Sequence, residues 1–81
     1  MNQRPTIFTL SAYRDAESEL WIGTCDAVPA AAEAETLDLL LARIAAMTAD
    51  LLPDNHPGLD PASVFLQLSV LQEIGPQAAA A

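Results

Sequence analysis

Residues 6–13, TIFTLSAY, alternate between two sets of side chains with a period of two, which predicts a strand. Phe8, Leu10 and Ala12 fall on one of its faces, and Ile7, Thr9, Ser11 and Tyr13 on the other. The polar run RDAESE reads as a turn, and LWIGTC at residues 20–25 as a second strand rich in β-formers. Two strands joined by a short acidic turn predict an antiparallel hairpin. Pro29, in DAVP, ends the second strand because it has no N–H to give to a ladder. Residues 30–34, AAAEA, read as a short third strand.

From Thr36 the period changes. Leu37, Leu40, Leu41, Ile44, Met47, Thr48 and Leu51 recur at three- and four-residue intervals, the stripe of a helix buried on one side. Thr36 is placed to cap the first turn, with the carboxylates of Glu35 and Asp38 beside the positive end of the helix dipole. Pro53 should stop the helix near Asp50 to Leu52, for about sixteen residues and roughly 24 Å. PDNHPGLDPAS is a loop by its prolines and glycine. VFLQLSVLQ, residues 64–72, is a final strand with Val64, Leu66, Leu68 and Val70 on one side.

The predicted fold class is therefore α+β, in the order β-β-β-α-β, with one helix on one face of a four-stranded mixed sheet. A right-handed crossover through the helix suggests the strand order 3-2-1-4, with the last strand parallel to the first. Phe8, Leu10, Leu20, Ile22, Leu66 and Leu68 are expected to meet the helix stripe. Ile7, Tyr13, Trp21, Cys25 and Phe65 then fall on the other face, for which no covering segment remains in the chain. A bare face carrying Trp21 and Tyr13 reads as a contact surface, so Ile7, Tyr13, Trp21 and Phe65 are the candidate interface residues.

Length and charge sharpen that picture. Eighty-one residues allow one domain, assigned to residues 1–75 with a loose tail at 76–81. So short a chain has a thin core, and self-association is the natural supplement, so a homodimer or higher oligomer is expected. Cys25 is the only cysteine and cannot form an internal disulfide, while His56 has no second soft ligand nearby, so neither metal nor cofactor is expected. There is no apolar run of the ~20 residues that a membrane span needs and no basic-then-apolar leader, which suggests a cytoplasmic protein. Eleven carboxylates against three arginines leave a net charge of −8. Such a surface repels phosphate backbones and suits a basic protein partner.

The segment FTLSAYRDAESELWIGTCDAVPAAAEAETLDLLLARI resembles the HicB-like antitoxin superfamily, in particular its short stand-alone members. Trp21, Asp26, Pro29, Glu33, Glu35, Thr36, Leu37 and Leu40 match the family pattern, while Ala30 stands where glycine is usual. The resemblance implies a three-stranded sheet, a helix and a final strand, a reduced ribonuclease-H-like arrangement. It also implies binding to a small basic toxin that cleaves messenger RNA. The DNA-binding segment that many members carry after this domain has no counterpart beyond Ile74, so repression of transcription does not follow.

Catalytic readings are weaker. The acids Asp15, Glu17, Glu19, Asp26, Glu33, Glu35 and Asp38 lie mainly in turns and at the helix start, whereas metal-dependent hydrolysis needs acids converging from strand ends. Cys25 lies among acids, which disfavour a thiolate, so a packed inert thiol is expected. His56 reads as a surface loop residue, Met47 as core filler and Arg43 as the partner of a nearby acid. The chain is read as a binding module rather than an enzyme, with a purely self-associating structural protein as the alternative.

Overall fold

The computed structural model describes residues 5–74. The elements follow the order β1 (Thr6–Asp15), β2 (Leu20–Cys25), β3 (Ala31–Ala34), α1 (Leu37–Asn55), a 3-10 turn (Pro61–Ser63) and β4 (Val64–Leu71). They form one four-stranded sheet in the order β3-β2-β1-β4, with β1 antiparallel to β2 and parallel to β4. This is the α+β architecture and the strand order anticipated from the pattern. The tail at 76–81 lies outside the described residues.

The hairpin between β1 and β2 decides which side chains the helix covers. β1 runs to Asp15, and residues 16–19 form the loop. Glu19 takes a left-handed backbone (φ 61°) and donates its N–H to the Asp15 carbonyl at 2.8 Å. The Ser18 hydroxyl donates to Asp15 Oδ2 at 2.8 Å and tightens the same turn. Pairing then sets Leu10 opposite Cys25, Ala12 opposite Gly23, Tyr13 opposite Ile22 and Asp15 opposite Leu20. Opposed residues in a ladder share a face, so Trp21, Gly23 and Cys25 lie on the helix side. Leu20 and Ile22 lie on the other. The expected assignment of β2 is thus inverted, because the turn alone sets the parity of the second strand.

At the end of β2 the chain closes on itself through Asp26. Its N–H donates to the Thr9 carbonyl at 3.0 Å, and its Oδ1 accepts the Thr9 N–H at 2.9 Å. A tight turn centred on Pro29 follows, with the Ala30 N–H bonded to the Val28 carbonyl at 2.7 Å. A three-residue turn of this type uses the φ that proline already has. Ala30 is buried with Val28 and needs no left-handed backbone, so alanine serves at this turn without glycine's freedom.

Thr36 caps α1, its hydroxyl accepting the Leu39 N–H at 3.1 Å. The helix passes through Pro53 and ends three residues beyond the expected stop. Proline near the last turn removes a single donor. The final carbonyls are met by His56 N–H on Leu52 (2.7 Å) and by Asn55 Nδ2 on Leu51 (2.8 Å). Leu40, Ile44, Thr48 and Leu52 are the fully buried line of the stripe, flanked by half-buried Leu37, Leu41, Met47 and Leu51. They close on Phe8, Leu10, Ala12, Val28, Ala30 and Ala34. The helix lies nearest β2 and β3, away from the β4 edge.

His56 is not the surface residue expected. It stands at the C-terminal cap of α1, half-buried, with Nε2 2.8 Å from the Ala27 carbonyl and its ring 5.2 Å from that of Phe8. A carbonyl only accepts, so the ring carries its proton on Nε2. The histidine thereby ties the end of the helix to the turn after β2, a link between residues 29 positions apart.

Candidate protein-binding face

The sheet side away from α1 is built from the alternate residues of every strand. Register places Ile7 beside Phe65, Thr9 beside Gln67, Ser11 beside Ser69 and Tyr13 beside Leu71. On the other flank Thr24 adjoins Ser11, and Ile22 lies between Tyr13 and Glu33. Two apolar pads result, separated by a band of hydroxyl and amide groups. One pad is Ile7 and Phe65, 56% and 57% exposed. The other is Tyr13, Ile22 and Leu71, of which Tyr13 is 50% and Leu71 79% exposed. A depression of about 360 Å³ opens between Tyr13, Ile22, Thr24, Ser69 and Leu71. Asp15 and Glu33 occupy positions on this face at the margins of the second pad, by their pairing with Leu20 and Ile22.

Three of the four interface residues read from the sequence, Ile7, Tyr13 and Phe65, stand on this face. Trp21 does not. It is half-buried on the helix side, packed against the core and opposite Ala34 of β3. Cys25 is likewise half-buried on the helix side rather than on the open face. The period-two pattern of LWIGTC places a large apolar residue on either face, so no residue type there could have revealed the parity. Leu71, Ile22 and Leu20 are the members of the open face that the sequence reading missed.

The acids are dispersed. Asp26 serves the β1 ladder, Asp60 accepts the Ala62 N–H at 2.9 Å, and Asp15 holds the hairpin turn. Among the described residues no group of three His, Cys, Asp or Glu side chains is placed to hold a metal ion. Arg43 donates through Nη1 to the backbone carbonyl of Glu33 rather than to a carboxylate, which corrects the expected ion pair. No helix among the described residues is long and apolar enough to cross a membrane.

Residues 7–76 match the family described as Domain of unknown function (DUF1902). The chain belongs to that family. Among solved structures, the DUF1902 domain is similar to a hypothetical protein, TTHA1013, from the extremely thermophilic bacterium Thermus thermophilus. The two share 35% identity over 84% of this chain and 96% of that one, with a TM-score of 0.70. No curated protein matches the chain.

Proposed function

We propose that this DUF1902 domain is a non-catalytic, cytoplasmic protein-binding module that engages a small basic protein through the open face of its sheet. The observation that carries the reading is the apolar pad of exposed Tyr13 and Leu71 beside half-buried Ile22, with the carboxylates of Asp15 and Glu33 on the same face. Aromatic anchors within an acidic margin suit a partner that brings aliphatic side chains surrounded by lysine and arginine. The net charge of −8 would steer such a partner and repel nucleic acid. The resemblance to the HicB-like antitoxins supports the same reading, since their partners are small basic toxins. On that reading the domain blocks the toxin's RNA site by covering it, with no chemistry of its own.

The test is co-expression with a short basic protein encoded beside it, followed by capture and titration. A stable complex is expected at physiological salt, with Tyr13→Ala weakening it tenfold or more and Trp21→Phe leaving it unchanged. A domain that captures no basic neighbour, or whose capture ignores Tyr13, would overturn the proposal.

A further inference from the structure

The sheet has two edges, and the chain treats them differently. β3 is four residues long and contains Glu33. The open-edge carbonyl of Glu33 is taken by Arg43 from the helix. A short, charged and partly capped edge is poor at pairing with another strand. Among the described residues β4 has none of these protections. It is eight residues long, and no charged residue lies between Asp60 and Glu73.

The hydrogen-bond pattern shows which β4 groups are free to pair outward. A strand residue turns its N–H and C=O to the same side, alternating along the chain. Thr9 exchanges its pair with Asp26, on the β2 side, so Phe8, Leu10 and Ala12 turn theirs toward β4. In a parallel ladder those groups bond the residues flanking their partners, which here are Phe65, Gln67, Ser69 and Leu71. Leu66, Leu68 and Val70 therefore present their N–H and C=O groups outward, while the Val64 N–H is taken by the Pro61 carbonyl. Their side chains lie on the helix side, where Val64, Leu66 and Leu68 are half-buried against the margin of the core and Val70 is 38% exposed.

We infer that the β4 edge pairs with β4 of a second copy of this chain, antiparallel, joining two four-stranded sheets into one of eight strands. Charge selects the occupant. A chain at −8 repels its own copy over most of its surface, and the neutral β4 strip is where two copies approach at least cost. A basic partner would gain little from a strip without carboxylates. Antiparallel pairing about a two-fold axis near the middle of β4 sets the outward residues Leu66, Leu68 and Val70 against their equivalents. It extends the thin core across the axis and leaves both open faces on one side of the joined sheet. The strip is narrow, so the dimer is of the concentration-dependent kind. This inference does not rest on the open-face reading.

Sedimentation velocity over roughly 1 μM to 1 mM spans the affinities concerned. The wild-type chain should pass from monomer to dimer within that range. Val70→Lys and Val70→Pro should each raise the dissociation constant at least tenfold, with circular dichroism unchanged. Proline is tolerated there because the N–H it removes faces outward. Ile7→Glu, on the open face, should leave the constant within about twofold. A wild-type monomer throughout the range would overturn the inference, as would dimerisation that Ile7→Glu weakens as much as the Val70 variants do. Indifference to the Val70 variants would do so too. Capture of a basic partner is scored separately, so either proposal can fail alone.

Discussion

Gly23 shows how one residue sets the distance between helix and sheet. A Cβ at this position would lie 2.9 Å from Leu40 Cδ2 and 3.0 Å from Leu10 Cδ1, both in side chains that are fully buried. Neither leucine has room to retreat in a packed interior. Gly23→Ala is therefore expected to cost about 1–3 kcal/mol, read as a lower urea midpoint without loss of secondary structure. An unchanged midpoint would mean that α1 is not seated on β2 as described. The same strand holds the least legible residue of the chain. Trp21 and Ile22 are equally good core residues by type, and only the loop at 16–19, with Glu19 in a left-handed backbone, decides between them. His56 was illegible for a related reason. Its partners, Ala27 and Phe8, are 29 and 48 residues away, and nothing local announces them.

At the scale of the element, the helix was the most legible feature, because an amphipathic stripe repeats the same information every turn. Its cap at Thr36 and most of the buried stripe follow from the sequence, while its exit does not. Pro53 sits close enough to the end for the loss of one N–H to be absorbed, and Leu52 becomes a core residue as a result. Within the stripe, Thr48 is anomalous. Its hydroxyl is buried and has no hydrogen-bond partner. An unmet buried hydroxyl is costly, whereas a methyl in its place packs without that penalty. Thr48→Val should stabilise the domain by about 1 kcal/mol in equilibrium unfolding. A loss of stability instead would show that the hydroxyl is satisfied in solution. The strands were legible as elements, and β3 and β4 begin and end within one residue of expectation. Their edges were not, because a strand becomes an edge only when the order of the sheet is set.

At the scale of the whole molecule, the two proposals respond to salt with opposite signs. Copies of a −8 chain repel, and raising the ionic strength screens that repulsion, so β4 pairing should tighten between roughly 0.05 M and 0.5 M salt. Binding of a basic partner rests on attraction between unlike surfaces and should weaken over the same range. Paired titrations, one of self-association and one of partner capture, check both slopes. Parallel slopes would show that one of the two surfaces has been misassigned. The open face was half legible. Ile7, Tyr13 and Phe65 were reached from strand alternation alone, since β1 and β4 run to the same parity in the parallel ladder. Trp21 was misplaced because its strand is antiparallel and its register belongs to the turn.

The sequence by itself determined the elements, their order, the strand order of the sheet and the stripe by which the helix is buried, because these depend on periodicity within a segment and on general rules of connection. Tertiary structure decided which face of β2 is covered, where the histidine ends up, how far the helix runs past its proline and which edge is left unguarded. These depend on pairings between distant residues, and a one-residue change in register reverses every side chain of a strand without altering its sequence.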